Sequence, residues 1–441
     1  MKQKFSNARE IFLQRRYGVR LGRRYVLAAA GVMLLGVIGC SQVTTDTSAL
    51  AQSQLPRSES TVPKAALKSF DNKLVAANTR FGFKLFSELL KEDSSKNVFV
   101  SPSSVAIALA IAYNGAGGST RQAMAKVLDL QGLSLEQINT SNGALKAMSE
   151  NPDEKVQLTI ANSLWANKDA SFNPEFLQTS QDFYKAKVTS LNFGDAGTPS
   201  IINNWINENT RGKITKIVDQ IPPDQMLFLI NAIYFKGSWT KEFDKKQTAQ
   251  YPFNLTSGTQ TQQLMMSQTG EYRYLENDQF QAVSLPYGQN GQLSFYVFLP
   301  LENSSLKTFS QKLDAVKWEK WMAQFRKQEG FIRLPSFQME YDITLNSALK
   351  ALGMGEAFSN KANFSGMGKN LAISEVKHKT FVEVNEEGTE AAASTSVGMV
   401  TTSVQEKPQP FTMIVDRPFF CAIRDNQTGS ILFMGSIVKP Q

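Results

Sequence analysis

Histidine occurs once in the 441 residues, at His378, and cysteine twice, at Cys40 and Cys421. A Ser-His-Asp or Cys-His hydrolase would have to be built on His378 alone. That residue sits in a strand-like run, Ile373 to Val384. A lone histidine in such a run reads as a hydrogen-bonded core residue rather than a catalyst. No Cys/His cluster is present to hold a metal, and no cofactor is expected. No internal repeat and no regular βαβ period is visible, which favours an α+β fold over a doubly wound one. The net charge of +8 is local: residues 1–40 hold eight Lys and Arg against Glu10 alone. The remainder is near neutral, so nucleic acid is not an expected partner.

The basic leader ends at Arg24 and is followed by the apolar run Val26 to Ile38. That run is too short for an ordinary spanning helix and suits an export signal. Its end, Val37-Ile38-Gly39-Cys40, resembles a bacterial lipobox. The resemblance implies cleavage before Cys40 and a lipid on its thiol. A plain signal peptide or a membrane anchor with an incidental cysteine is the alternative. Arg23-Arg24-Tyr25-Val26-Leu27 loosely resembles a twin-arginine export motif. The division is then 1–39 export signal peptide, 40–66 lipidated Cys and flexible tether, and 67–441 folded domain. The tether is rich in Ser, Thr, Gln and Ala. With Cys40 lipidated, Cys421 has no partner, and no intrachain disulfide is expected. Its surroundings, Phe419-Phe420-Cys421-Ala422-Ile423, make it a buried small hydrophobe. The lipobox resemblance thus implies a membrane-anchored lipoprotein exported to the periplasmic or extracellular side.

Within the domain, Leu67 to Lys91 reads as an amphipathic helix, with Leu74, Phe81, Leu85 and Leu89 on one face. Val105 to Tyr113 reads as a second helix, capped by Ser101 with Pro102 in its first turn. The glycine cluster Asn114 to Thr120 has no lysine where a phosphate loop needs one and no strand before it. It reads as a helix stop followed by a Thr120 cap. Leu158 to Ala166 alternates as a strand, Ile201 to Thr210 is helical, and Leu227 to Phe235 is an apolar strand. Further strands are expected at Val283–Leu285, Leu293–Leu299, Gly330–Leu334, Lys379–Val384, Phe411–Val415, Phe419–Arg424 and Ile431–Val438. Ser374-Glu375-Val376-Lys377 fits a Ser-x-x-Lys pattern, but residues three apart on a strand face opposite ways.

From Thr389 to Ser403 the chain has no bulky aromatic, no proline and a single charge. Thr389, Ala391, Ala393, Thr395, Val397 and Met399 would share one strand face, and Glu390, Ala392, Ser394, Ser396 and Gly398 the other. Ala, Ser and Gly have poor strand preference. Such a stretch can lie as a loop or fill a gap in a sheet.

The run Glu386-Glu387-Gly388-Thr389-Glu390-Ala391-Ala392-Ala393-Ser394 resembles the hinge of serpins, a family of serine protease inhibitors. The resemblance extends over about 67–441. It includes Asn97…Ser101-Pro102…Gly115-Ala116…Gly118…Thr120, Leu158-Thr159-Ile160-Ala161-Asn162, and Thr210-Arg211-Gly212-Lys213-Ile214. It continues through Asn231-Ala232-Ile233-Tyr234-Phe235-Lys236-Gly237-Ser238-Trp239 and Asp416-Arg417-Pro418-Phe419-Phe420. It implies one α+β domain of helices packed on three β-sheets, with an exposed reactive-centre loop.

The implied function is suicide inhibition of serine endopeptidases, in a covalent complex with the target and without enzymatic turnover. The reactive bond falls at Thr402–Ser403, with Thr401–Thr402 and Met399–Val400 as neighbouring registers. No Lys or Arg lies between Ala391 and Ser403. Trypsin-like targets are therefore disfavoured. Small aliphatic or hydroxyl residues suit elastase-like or subtilisin-like pockets, and Met399 admits a chymotrypsin-like one. The resemblance places His378 with Ser101, Ser104, Asn231 and Trp239 in the region where the central sheet opens. One departure is that Leu334-Pro335 is followed by Ser336 and not by Lys. Glu386 then lacks its usual partner or uses Arg333. A monomer is expected, with the membrane reached through lipid on Cys40. The alternative is a non-inhibitory serpin acting as a binding or chaperone-like protein. Proline or bulky charge in the hinge would favour it, and this chain has neither.

Overall fold

The computed structural model describes residues 69–92, 95–150, 152–388 and 409–441. The chain opens with helix α1 (Asn72–Glu92), the short strand β1 (Val98–Val100) and helix α2 (Pro102–Gly115). Residues Val105 to Ala112 of α2 are all buried, so this helix is apolar on every side and runs through the core. Pro102 occupies its first turn, where the missing N–H is harmless. Ser101 stands at the N-cap position but makes no side-chain cap. Its backbone N–H donates to the His378 ring.

Helix α3 (Gly118–Val127) starts from Gly117, not from Thr120. The Thr120 hydroxyl is already in use, donating to Glu356 Oε1 at 2.7 Å. Helix α4 (Leu135–Ser149) has a complete capping box between Ser134 and Gln137. Then come β2 (Val156–Asn167), α5 (Pro174–Tyr184), β3 (Lys187–Leu191), α6 (Thr198–Asn209) and β4 (Leu227–Gly237). The next stretch is all strand: β5 (Ala249–Asn254), β6 (Gln260–Glu276), β7 (Phe280–Pro286) and β8 (Leu293–Pro300). Helices α7 (Leu306–Lys312) and α8 (Ala315–Gln324) separate it from β9 (Arg326–Pro335) and β10 (Phe337–Thr344). The remaining strands are β11 (Glu375–Val384), β12 (Phe411–Ile414), β13 (Phe419–Asp425) and β14 (Ile431–Ile437).

The fold is α+β, as expected. Among the described residues the strands form two hydrogen-bonded networks. One has nine strands in the order β1-β14-β13-β8-β7-β6-β9-β12, with β5 also on β6. The other has five in the order β10-β11-β4-β2-β3. The resemblance implies three sheets. Two of them are continuous here because β6 is 17 residues long and pairs with β5 over 260–265, with β9 over 265–274 and with β7 over 273–276. Strands β8 and β14 are buried at every position, and Cys421 on β13 is a free, fully buried thiol between them. Burying a Leu, Ile, Val or Phe side chain contributes ~1.5–3 kcal/mol, so these strands anchor the main core.

A second core lies on the outer face of the five-stranded sheet. Ile202 and Ile206 of α6, with Ile214, Ile217, Val218 and Ile221 after it, cluster with Phe228, Ile230 and Tyr234 of β4 and Phe381 of β11. The covering segment thus straddles the junction of β4 and β11.

Candidate functional site

Strands β10 and β11 are antiparallel, as are β4 and β2, but β11 and β4 run parallel. This seam pairs Glu375 with Phe228 through to Phe381 with Tyr234. It stops there, although β11 continues to Val384 and β4 to Gly237. The upper ends of the two strands are not paired with each other, leaving a mouth.

The chain leaving β11 turns back into that mouth. Asn385 and Gly388 exchange two backbone hydrogen bonds of 3.1 Å, closing a tight turn. Gly388 has φ +105°, and a Cβ there would sit 2.3 Å from the carbonyl oxygen of Gly237 and 2.5 Å from the nitrogen of Trp239. Only glycine fits both the dihedral and the close approach. Gly388 makes antiparallel bridges with Asn385 on one side and with Ser238, just beyond β4, on the other. It therefore occupies the position of a first residue in a strand running between β4 and β11.

The turn is clamped to the segment after β4. Trp239 N–H donates to the Glu387 carbonyl at 3.0 Å, and Phe243 N–H donates to the Glu386 carbonyl at 2.8 Å. Trp239 Nε1 donates to the Asn385 carbonyl at 2.8 Å. The indole is buried and stacked on Tyr287, with ring centroids 4.3 Å apart. Lys245 forms an ion pair with Glu387, and the adjacent carboxylate raises the lysine's pKa. The acidic residue paired in this turn is thus Glu387, with a cation from the short turn after β4. Arg333 is committed elsewhere: it stacks 3.7 Å from the Tyr251 ring and donates to Ser267 Oγ at 3.2 Å.

Lower on the seam lies a buried polar row. His378 and Asn231 are directly opposite across β11 and β4, and Asn231 and Asn162 are opposite across β4 and β2. Ser101 N–H donates to His378 Nε2 at 3.0 Å. That nitrogen is an acceptor, so the neutral ring carries its proton on Nδ1, which is 2.6 Å from Asn231 Oδ1. Asn231 Nδ2 in turn donates to Ser104 Oγ and, at 2.6 Å, to Asn162 Oδ1. Thr380 Oγ1 donates to the Phe99 carbonyl at 2.9 Å. Burial pushes the His378 pKa down to about 3. Protonation would set an N–H against the Ser101 N–H as well as bury a charge. The row ties α2 to three strands, and both imidazole nitrogens are engaged, one by the Ser101 N–H and one by the Asn231 amide oxygen. Ser374, of the Ser-x-x-Lys pattern, accepts from the Met226 N–H at 2.9 Å and has a structural role.

On the opposite face of β11, Lys379 is almost fully buried. Its ammonium meets Glu340 at 2.5 Å and Asp342 at 3.3 Å, both on β10, and donates to the Lys216 carbonyl at 2.5 Å. Lys216 belongs to the segment that straddles the seam. Lys379 thereby fastens that segment to the β10–β11 side.

Of the residues expected in the sheet-opening region, Ser101, Ser104, Asn231 and His378 meet in one row. Trp239 is at the mouth instead, against Asn385. Asn162, Thr380, Lys245, Lys379 and Asn385 were not anticipated. An asparagine at an inward position of an apolar strand was the available signal for Asn162. Hinge residues Glu386, Glu387 and Gly388 are in the turn just described. Thr389, Glu390, Ala391, Ala392, Ala393 and Ser394, the reactive bond Thr402–Ser403, and Cys40 lie outside the described residues.

The family model described as serpin (serine protease inhibitor) matches residues 76–440. This chain belongs to the serpin family. Human leukocyte elastase inhibitor is 36% identical over 382 residues, covering 83% of this chain and 99% of that protein. The native-state crystal structure of tengpin, a thermophilic serpin, has a TM-score of 0.77 at 34% identity, covering 84% of this serpin and 95% of that chain. Human thyroxine-binding globulin, solved in complex with thyroxine, also has a TM-score of 0.77, at 26% identity and covering 85% of this serpin and all of that chain. The family is one of protease inhibitors, and inhibitory members are among this serpin's relatives.

Proposed function

We propose that this serpin is a suicide-substrate inhibitor of serine endopeptidases with elastase-like or subtilisin-like specificity. The observation that carries this reading is the parallel seam with Gly388 seated antiparallel at its mouth. A strand continuing from Gly388 would enter between β4 and β11 and gain ladder hydrogen bonds on both edges. The target's serine oxygen attacks the Thr402 carbonyl, the bond to the Ser403 nitrogen breaks, and an acyl-enzyme ester remains. The freed loop then enters the seam and draws the attached protease along.

Gly388 to Thr402 spans about 46 Å when extended at ~3.3 Å per residue. Each new ladder bond contributes a net ~0.5–1.5 kcal/mol, so a dozen total on the order of ten. Displacing one oxyanion donor in the target costs ~2.7–4 kcal/mol of catalysis. Insertion therefore releases enough to strand the acyl-enzyme. The absence of Lys and Arg from Ala391 to Ser403 supports an elastase-like or subtilisin-like target. So does the likeness to a relative named leukocyte elastase inhibitor. The same reading includes export by residues 1–39, lipid on Cys40, a tether over 40–66, and a monomeric inhibitor on the periplasmic or extracellular side.

The test uses residues 41–441 mixed with an elastase-like protease and run on a denaturing gel. A covalent band near the summed masses, with cleavage mapped after Thr402 or a neighbour, is expected. Clean cleavage without that band, repeated with subtilisin-like and chymotrypsin-like enzymes, would point to a non-inhibitory binding serpin.

A further inference from the structure

Alternate side chains of β14 and the residue after it, Leu432, Met434, Ser436 and Val438, fall on one face of the strand. Met434 on that face lies against Gly82 of α1. Ser436 is buried on the same face but is far smaller than its neighbours. Under the C-terminal end of α1 it leaves a cavity of about 380 Å³, closed on the far side by α7. The lower wall is apolar, from Leu90, Leu306 and Val438.

The polar part of the wall is one-sided. Lys91 and Lys307 bring ammonium groups, and among the described residues the lining contains no carboxylate. Lys91 shares its charge with Glu88 at 2.6 Å, outside the lining. Lys307 makes no ion pair among the described residues. The Ser310 hydroxyl, also in the wall, is enclosed and has no hydrogen-bond partner among the described residues. An unpartnered buried hydroxyl is costly, and a bound polar group would relieve it. Apolar walls with a few convergent polar groups, in a space of this size, are the ordinary make-up of a small-molecule site.

We propose that the cavity between α1, α7 and β14 binds an amphipathic monoanion, a carboxylate carried on a medium-length apolar chain. The chain lies along Leu90, Leu306 and Val438, and the carboxylate is met by Lys307, Lys91 and the serine hydroxyls. The volume equals about a dozen waters at ~30 Å³ each, which suits a carboxylate of eight to ten carbons. A longer acyl chain would protrude.

The experiment is calorimetric titration of the full-length chain with octanoate, 1-octanol and acetate. Octanoate is expected to bind one per chain, with octanol and acetate each roughly tenfold or more weaker, because one lacks the charge and the other the apolar body. The double change Lys91→Gln and Lys307→Gln should bring octanoate down to the level of octanol. Ser436→Leu, which fills the floor, and Ser87→Trp, which obstructs the exposed rim, should each abolish binding. Ser87→Trp alters a solvent-facing position, so an unchanged melting temperature separates loss of binding from loss of fold. No octanoate binding, equal affinity for octanol, or undiminished binding in Ser87→Trp would each overturn the assignment.

Discussion

Replacing His378 by Gln removes the chain's only imidazole. In the folded protein its pKa lies near 3, because burial among α2, β4 and β11 opposes the charged form. In the unfolded chain it is about 6.5. Below about pH 6.5 the unfolded chain therefore binds a proton that the folded chain does not, and stability falls as the pH falls. This stabilising contribution is full above the unfolded pKa and is lost progressively down to about pH 3. Each pH unit costs the folded state about 1.4 kcal/mol, so going from about pH 7.5 to about pH 5.0 removes roughly 2 kcal/mol. Ordinary carboxylates, with pKa values of about 4, stay ionised over most of that range, so the window isolates the histidine. His378→Gln keeps an acceptor for the Ser101 N–H but does not titrate. The assay is urea unfolding followed by tryptophan fluorescence at several pH values, comparing slopes rather than absolute stabilities. The wild type should lose stability toward pH 5.0 and the variant should stay nearly level. Parallel slopes would refute the neutral, desolvated histidine on which the polar row depends.

Three further outcomes are expected. Thr389→Arg should still be cleaved by the target protease but lose the covalent band on a denaturing gel, because an unpaired charge resists burial in the seam; undiminished trapping would sink the insertion account. Gly388→Val should lower stability by roughly 1–3 kcal/mol, since φ is +105° and the added carbon meets Gly237 and Trp239 backbone; an unshifted urea midpoint would contradict the seated turn. Lys379→Met keeps the buried stem but removes the contacts to Glu340, Asp342 and the Lys216 carbonyl. It should cost about 1–3 kcal/mol and speed amide exchange in residues 210–221, and unchanged exchange there would mean the segment is held by its apolar contacts alone.

The buried elements were the ones legible in the chain. The apolar runs of α2, β4, β8, β13 and β14 mark themselves, because nearly every residue faces the core. Strand β6 was missed: most of its residues are Gln, Thr, Glu, Ser or Arg, and its outer positions face solvent. It is a strand because it has partners along both edges, which local pattern does not reveal. Strand β10 was missed as well, although Phe337, Met339, Tyr341 and Ile343 alternate there with Gln338, Glu340, Asp342 and Thr344. Ser101 is a suitable cap by residue type, yet its N–H serves a histidine on a strand 277 positions away. For Glu386 the expectation was either no partner or Arg333, and Arg333 is held by Tyr251 and Ser267. The cation of this turn, Lys245, was not expected and meets the neighbouring Glu387, because the turn folds over the end of β4. The Ser101 and Lys245 contacts join distant segments, which residue spacing does not encode.

The parallel seam also sets a schedule for synthesis. About 140 residues separate the end of β4 from the start of β11. At roughly 5–20 residues per second, the seam edge of β4 emerges about 7–30 s before its partner exists. That edge carries Leu227, Phe228, Leu229, Ile230, Ile233 and Phe235, all buried once the sheet is complete. Residues 198–221 are made earlier and can shelter one face of the strand, but they offer nothing to its backbone edge. An apolar strand with an open edge is a template for pairing with other chains. The junction that receives the loop in the proposed mechanism is thus among the last to close on the ribosome. Over that interval the free edge of β4 is open to pairing with a neighbouring growing copy of this protein.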